Sequence, residues 1–214
     1  MTTVLPIREF REGMFIVMAT RNGILKKTDV MAFSHPRSDG IRAITLDEND
    51  ELISAMLTEG RDKVFLATRD GKALIIEETQ LRTMQRGARG VKGIRLRAND
   101  RLIAMVNCSV AEAPILTITE KGFGKRTLGK KYRIQNRGGI GLTNIKIGDK
   151  NGKVVNVLPT SGDDNIVLIT DQGKLIRTRA SDVKVVGRNA MGVKVIDVAE
   201  NEHVVAAQRI VEAD

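Results

Sequence analysis

Apolar and polar residues alternate along the chain in four copies of one pattern. An apolar stretch ends in a threonine, two polar residues and a glycine follow, and a second strand-like stretch comes next. The four copies of this segment are MATRNGILKKT, LATRDGKALII, TITEKGFGKRT and LITDQGKLIRT. Their glycines are Gly23, Gly71, Gly122 and Gly173, which lie 48, 51 and 51 residues apart. A glycine between two alternating runs predicts a β-hairpin, because glycine adopts the positive φ that such turns require.

Two further landmarks recur in every copy. A second glycine precedes the alternating runs DGIRAITL, RGVKGIRL, IGLTNIKI and MGVKVIDV, at Gly40, Gly90, Gly141 and Gly192. An asparagine-led turn then precedes another strand-like run, at Asn49, Asn99, Asn151 and Asn201. Each copy therefore predicts a hairpin, a long loop, a third strand, an asparagine turn and a fourth strand. Helical periodicity is absent, which argues against α/β and helical-repeat folds.

Four short strands in about 50 residues are typical of one propeller blade. We therefore predict an all-β, propeller-like fold of four-stranded blades, as a partial array of about four repeats. The repeats cover residues 13–62, 63–112, 113–161 and 162–214 and belong to one domain. Residues 1–12 are expected to be the tail of a preceding repeat, because TTVLPI is similar to VNVLPTS in the third repeat.

The charge of the chain changes the functional picture. Of the 214 residues, 42% are hydrophobic and 29% are charged, as in ordinary globular proteins. The net charge is +9, with +5 in the second repeat, +8 in the third and −2 in each of the others. A surface that served only solubility would mix the two signs more evenly. The excess favours a polyanionic partner, and nucleic acid before a membrane, because no basic amphipathic helix is visible.

The predicted contacts lie at two places in the repeat. In the second hairpin strand they are Lys26, Lys27, Lys125, Arg126 and Arg177. In the long loop they are Arg86, Arg89, Lys130, Lys131, Arg133, Gln135, Arg137 and Arg188. Arg86, Arg137 and Arg188 each stand four residues before the second glycine of their repeat. Equivalent loops of an array emerge on the same side, so these side chains are expected to form a track along DNA phosphates.

The low aromatic content favours duplex DNA over single strands. Aromatic residues make up 3% of the chain, with one tyrosine and no tryptophan. Recognition of single strands depends largely on bases stacked on aromatic side chains. We therefore predict a duplex bound through its backbone without sequence preference.

Enzymatic and metal-binding alternatives have little support in the sequence. GKRTLGKK, at residues 124–131, is close to a P-loop, but Lys131 stands where serine or threonine would ligate Mg²⁺. No helix is predicted after it, nor after RGGIG, so neither segment offers a helix N-terminus to a phosphate. His35 and His203 lie in turns without the partners of a catalytic triad. We predict no catalytic residue, no metal and no cofactor.

The cellular compartment is predicted from absences in the sequence. Cys108 is the only cysteine, which excludes an internal disulfide and suits a reducing cytoplasm. Its strand-like surroundings predict a buried, inert thiol. No apolar run approaches the roughly 18 residues of a membrane span, and no signal peptide is visible. A cytoplasmic protein without a membrane partner is expected.

Several sequence segments, in their order along the chain, resemble the C-terminal DNA-wrapping domain of DNA gyrase A. They are FIVMATRNGILKKT, GARGVKGIRL, EKGFGKRT, GKLIRTRASDVKVVGRNAMGV and VVAAQRI. The resemblance implies a β-pinwheel, a propeller-like ring whose blades exchange strands and whose basic rim bends duplex DNA. It also implies a non-catalytic part of an ATP-dependent type II topoisomerase that introduces negative supercoils. The implied partners are the rest of gyrase A and, through it, gyrase B, at the bacterial nucleoid.

The family signature, a Q-R-R-G-G-[RK]-G box in its first blade, has a degenerate counterpart here. QNRGGIG matches at Gln135, Arg137, Gly138, Gly139 and Gly141. It departs at Asn136 and Ile140, which removes two positive charges, and it lies in the third repeat. We therefore expect a phosphate-facing loop that supports DNA bending without a complete wrap. Two alternatives remain, the equivalent domain of topoisomerase IV, whose task is decatenation, and a propeller that binds an acidic protein.

Overall fold

The computed structural model describes residues 3–109 and 113–210. These residues form strands and four short 3₁₀ helices, with no α-helix among them. The strands are β1 Phe15–Thr20, β2 Ile24–Asp29, β3 Leu52–Thr58, β4 Lys63–Thr68, β5 Lys72–Glu77, β6 Val91–Lys92, β7 Leu102–Asn107, β8 Pro114–Thr119, β9 Phe123–Leu128, β10 Leu142–Thr143, β11 Val154–Pro159, β12 Asn165–Thr170, β13 Leu175–Arg179, β14 Val193–Lys194 and β15 Val204–Ile210. The 3₁₀ helices are Val30–Phe33, Glu78–Gln80, Gly129–Lys131 and Ala180–Asp182. In this part of the chain no helix is long and apolar enough to cross a membrane.

The strands form four antiparallel sheets, one for each repeat. The strand orders are β3-β1-β2-β6, β10-β5-β4-β7, β11-β8-β9-β14 and β13-β12-β15. Each sheet contains the hairpin and the last strand of its own repeat. The first three sheets also contain a short strand from the following repeat, whereas the described part of the fourth sheet has three strands. The all-β fold with blade-like sheets that we predicted is confirmed.

The threonine and glycine of the repeat close each hairpin turn. In the first hairpin the amide of Gly23 donates to the Thr20 carbonyl at 2.9 Å, and the amide of Ile24 donates to Thr20 Oγ1 at 3.2 Å. Gly23 has a φ of 80°, a conformation in which a side chain would be strained. The equivalent glycines of the other three hairpins have φ values between 76° and 82°. The periodic threonine and glycine are therefore a requirement of the turn.

The third strand of each repeat differs from the prediction. The repeat pattern alone places it in the blade of its own repeat, whereas the family resemblance implies strand exchange. In the second to fourth repeats it is two residues long and pairs with the preceding blade, as the resemblance implies. Val91 pairs with Leu25, Leu142 with Ala73, and Val193 with Gly124. The residue after each short strand donates its N–H to the carbonyl of the preceding hairpin glycine, at 2.8 Å in all three cases. In the first repeat, residues 40–46 form no strand.

The described residues divide into two compact units, each with its own core. The first contains residues 3–66, 74–109 and 134–141, and the second contains residues 67–73, 113–133 and 142–210. Val17, Leu66 and Ile94 represent the core of the first unit, and Leu116, Ile166 and Ile196 that of the second. Residues 3–12 form no strand, although Leu5 and Ile7 pack on a smaller apolar cluster around Met18.

Candidate nucleic-acid interface

Four of the predicted contact residues lie inside the blades. Lys26 and Lys125 have no exposed surface, and Lys27 and Arg126 are also buried. All four belong to the second strand of a hairpin, where nearly every residue is buried on both faces of the sheet. The surface positions that we predicted for these side chains are therefore wrong, because a neighbouring segment covers each one. Their charged groups bond to the protein itself.

The two fully buried lysines bond to backbone carbonyls of loops. Lys26 Nζ donates to the carbonyl of Ala43 at 2.5 Å and to that of Arg86. Lys125 Nζ donates to the carbonyls of Gly187 and Arg188 at 2.8 and 2.9 Å, and to Thr127 Oγ1 at 3.1 Å. Removal from water lowers the pKa of each lysine to about 8, and the charge of Arg188 adds to this effect at Lys125.

Lys27 and Arg126 also have partners within the fold. Lys27 Nζ lies 3.1 Å from Oε1 of Glu78, a carboxylate with no exposed surface. Its ammonium lies 4.1 Å from the centre of the Phe15 ring. Arg126 donates from Nε to the Val183 carbonyl at 2.8 Å and from Nη2 to the Ser181 carbonyl at 3.3 Å. Lys27 therefore links the first repeat to the second, and Arg126 links the third to the fourth.

The other predicted residues lie at or near the surface. Lys130, Lys131, Arg133, Arg137 and Arg177 are exposed, and Arg86, Gln135 and Arg188 are half-buried. Arg177 donates to Asn165 Oδ1 at 3.0 Å. Arg89 is exposed but forms a bidentate salt bridge with the carboxylate of Asp47. The hydrogen bonds from Arg89 lower the pKa of Asp47. A phosphate at Arg89 would have to displace that carboxylate.

The loop that contains the degenerate box follows the edge of the second blade. The amide of Gln135 donates to the Ile75 carbonyl at 2.8 Å, and the amide of Gly138 donates to the Gly93 carbonyl at 2.6 Å. The side chain of Gln80 holds the segment between them. Its Nε2 donates to the Gln135 carbonyl at 3.1 Å, and its Oε1 accepts from the Arg137 amide at 2.8 Å. The loop is therefore ordered by hydrogen bonds to the preceding repeat.

The same arrangement recurs at three junctions, each formed by a long loop and the preceding repeat. Thr45 donates its amide to the Ala88 carbonyl, Arg95 to Gly139 and Lys146 to Ala190, at 3.3, 2.9 and 3.2 Å. We call Arg86, Arg137 and Arg188 the loop arginines. At the second junction Arg137 Nη1 lies 3.3 Å from the Lys92 carbonyl, and at the third Arg188 Nη1 lies 2.9 Å from the Thr143 carbonyl. Arg86 lines a cavity of about 290 Å³ with Arg37 and Arg42.

Two exposed basic residues at these junctions escaped the sequence prediction. Arg42 and Lys92 stand two residues after the second glycine, and each lies beside the loop of the next repeat. The signal was visible in the sequence, since the segments GIR, GVK and GVK place a basic residue there in three of the four repeats. Lys194, the third of these, lies 2.8 Å from Asp197.

The buried lysines predict a rise in stability just above pH 8. Their pKa of about 8 in the folded chain lies below the ordinary value of 10.5, so the unfolded chain binds more protons between these values. The free energy of unfolding therefore increases with pH in this window. Urea midpoints at pH 7.5 and 8.8 should show the increase, and the Lys26→Leu/Lys125→Leu variant should lose it. An equal increase in this variant would assign the effect to other groups.

Higher pH adds an opposing contribution. Burial raises the pKa of the Cys108 thiol to about 11 and also raises the pKa of Tyr132. Because the unfolded chain loses these protons first, both groups reduce stability as the pH rises above about 9. Cys108 is buried, as we predicted from its sequence context.

Repeated antiparallel sheets, each built around one hairpin and joined by strands from the next repeat, define the class as an all-β protein of the propeller type. The comparison with known families is more specific. The chain belongs to the family described as DNA gyrase C-terminal domain, beta-propeller, which matches residues 15–59, 62–109, 113–161 and 164–210. The resemblance inferred from the sequence phrases is thereby confirmed.

Individual relatives agree with this family. DNA gyrase A of Salmonella typhimurium is 44% identical over 211 residues, which are 99% of this chain and 24% of that protein. The chain thus spans about a quarter of the length of this relative. A solved structure of the DNA gyrase A C-terminal domain matches with a TM-score of 0.86 and 26% identity, over 96% of this chain and 68% of that one. The C-terminal domain of DNA topoisomerase IV shares the fold, with a TM-score of 0.90 and 24% identity over 96% and 64%.

Proposed function

We propose that this chain binds duplex DNA through its phosphates and bends it, as the C-terminal part of a gyrase A protein. In this role it would present DNA to an ATP-dependent type II topoisomerase that introduces negative supercoils. The chain would be non-catalytic, and the reacting groups would lie in the rest of gyrase A and in gyrase B. We place its action in the bacterial cytoplasm, at the nucleoid.

The observation that carries this proposal is the unpaired charge of the third repeat. Lys130, Lys131, Arg133 and Arg137 are exposed, and none of them forms an ion pair with a carboxylate among residues 3–109 and 113–210. The whole repeat contains ten basic and two acidic residues. Phosphates release condensed counterions when such cations replace them, which is the main source of non-specific affinity.

Loop geometry supports recognition of the backbone rather than of bases. Gly138 and Gly141 have φ values of 77° and 71°, so the loop changes direction sharply at two places without side chains. A bare backbone of this kind allows a phosphate to approach closely, and the planar guanidinium of Arg137 can bind two phosphate oxygens. Contacts of this type position a duplex and contain little sequence information.

The loop departs from the family box at Ile140, and this affects how far DNA can bend around it. Ile140 stands at a basic position of the box and is 55% exposed, so its apolar side chain meets water where a cation would meet DNA. We therefore propose bending that stops short of a complete wrap. Ligation of a nicked minicircle in the presence of the chain tests this, because a complete wrap leaves a change in linking number after the nick is sealed. No change with strong binding fits bending alone, and a change of a full turn would contradict it.

Salt dependence provides the main test of DNA binding. If five to eight phosphates are neutralised, the logarithm of the affinity for a duplex should fall with log[salt] at a slope of roughly −5 to −7. The Arg133→Ala/Arg137→Ala variant should bind about tenfold more weakly and make the slope less negative by about 2, equally for all sequences. Fluorescence anisotropy with two unrelated duplexes measures both quantities.

The matched control removes the same charge elsewhere. Arg61 and Arg101 are exposed and lie outside the long loops. The Arg61→Ala/Arg101→Ala variant should therefore keep nearly the wild-type affinity and slope. Equal losses in the two variants would mean that only net charge matters, and a slope near zero in the wild type would exclude phosphate binding. Loss that depends on sequence would indicate reading of bases.

A further inference from the structure

A polar side chain of the preceding repeat fixes the backbone of every loop arginine. At the first junction Lys26 Nζ donates to the carbonyl of Arg86. At the second junction Gln80 Oε1 accepts from the amide of Arg137 at 2.8 Å. At the third junction Lys125 Nζ donates to the carbonyl of Arg188 at 2.9 Å. Lys26 and Lys125 occupy equivalent positions on a hairpin strand, whereas Gln80 ends a 3₁₀ helix, but all three bond the same residue of the loop.

The two lysines are not needed to fill the core. Position for position, the second repeat has Leu74 where the first and third have Lys26 and Lys125, and Leu74 is fully buried in the apolar core. A leucine is therefore compatible with this place in a blade. A buried ammonium without a carboxylate partner is costly, and neither lysine forms such a pair in the described residues. Lys26 bonds the carbonyls of Ala43 and Arg86, and Lys125 bonds those of Gly187 and Arg188. These bonds offset the cost of burial only when the loops are in place.

The first junction also brings these bonds to a basic cavity. Lys26 Nζ bonds the carbonyl of Ala43 as well as that of Arg86, and these residues lie on two different loops. The same two loops supply Arg37, Arg42 and Arg86 to the cavity of about 290 Å³. The buried ammonium therefore connects two loops whose residues, three arginines among them, line this cavity.

We propose that Lys26, Gln80 and Lys125 are positioning residues that hold the loop arginines ready for phosphate. They act through Arg86, Arg137 and Arg188 and do not touch DNA themselves. A loop that is already ordered loses less conformational freedom when it binds, so affinity depends on these hidden bonds. This inference rests on the proposed DNA binding.

Gln80 offers the sharpest test, because its replacement changes no charge. Gln80→Ala removes both bonds to the loop, and we expect it to weaken binding of a duplex about threefold to tenfold at fixed salt. In the Arg137→Ala background the same change should have almost no effect, because Gln80 acts through Arg137. Binding is measured by anisotropy with the full chain, and the melting temperature of each variant is recorded alongside.

Lys125 and Arg188 provide a second double-mutant cycle, after that of Gln80 and Arg137. Lys125→Leu copies the residue of the second repeat, and we expect a similar loss that disappears in the Arg188→Ala background. Amide exchange of residues 186–190 should accelerate in Lys125→Leu. If this variant does not fold, the Gln80 cycle and Lys125→Met keep the test open.

The outcomes separate the two proposals. A wild-type chain that does not bind duplex DNA would reject the proposed function. Strong wild-type binding with fully additive effects in both cycles would retain that function and reject the positioning role. Wild-type affinity in both Gln80→Ala and Lys125→Leu would reject it as well. Non-additive losses in both cycles are the expected result.

Discussion

Replacement of Lys27 by methionine is expected to destabilise the fold by about 3–5 kcal/mol. Glu78 has no exposed surface, and Lys27 supplies its only cation among the described residues, with 3.1 Å between Nζ and Oε1. The hydroxyl of Thr58 donates to Oε1 at 2.7 Å and the amide of Asp62 donates to Oε2 at 3.1 Å, but neither is charged. Without Lys27 the carboxylate remains buried as a charge without a cationic partner. Urea unfolding followed by circular dichroism measures the change.

Two controls test whether the buried pair is responsible. Arg11→Met removes a cation of the exposed pair with Glu59 and should cost less than about 1 kcal/mol. Lys27→Met/Glu78→Gln removes both charges of the buried pair, keeps an acceptor for Thr58, and should recover much of the loss. A Lys27→Met variant as stable as Arg11→Met would contradict the expected result. So would a double variant whose loss of stability equals or exceeds the summed losses of Lys27→Met and Glu78→Gln.

This pair illustrates a limit of reading function from charge. Lys26 and Lys27 are neighbours on β2, so their side chains point to opposite faces of the sheet. A strand with one solvated face would leave one of them exposed, but both faces of β2 are covered. The cover comes from segments far away in the sequence, such as Glu78 and the loop around Arg86. No local pattern distinguishes a lysine that binds a carbonyl of such a segment from one that binds a phosphate.

The alternation of apolar and polar residues does not reveal the exchanged strand, which only the family resemblance implies, and the reason is related. Val91 pairs with Leu25, 66 residues earlier. The equivalent hairpin strand of its own repeat is β5, and the sequence pattern does not distinguish β5 from β2 as the partner. In an array of similar repeats, a short strand fits its own blade and the preceding blade equally well by pattern. The choice depends on the connection and on the carbonyl of a distant hairpin glycine. Local requirements were easier to predict, because the threonine and glycine of the hairpins act within a single turn.

The second large effect is expected at the glycine that receives the exchanged strand. Gly122 has a φ of 77°, and a Cβ atom there would lie 2.3 Å from the carbonyl oxygen of Ile196. The amides of Val195 and Ile196 both donate to the Gly122 carbonyl, at 2.8 and 3.2 Å, so the incoming segment cannot move without breaking these bonds. We expect Gly122→Ala to cost about 1–2 kcal/mol for the left-handed backbone and about 1–3 kcal/mol more for the collision.

Gly173 provides a matched control within the same chain. It holds the equivalent hairpin position in the fourth blade with a φ of 82°, but a Cβ atom there would have no neighbour within 4 Å. Gly173→Ala should therefore cost only the backbone contribution, about 1–2 kcal/mol. Urea midpoints of the two variants measure the difference, which reports the contact made by the exchanged strand because the turn conformation is shared. Equal losses would mean that the segment around Ile196 does not pack on Gly122 in solution, and strand exchange between the third and fourth repeats would then have to be abandoned.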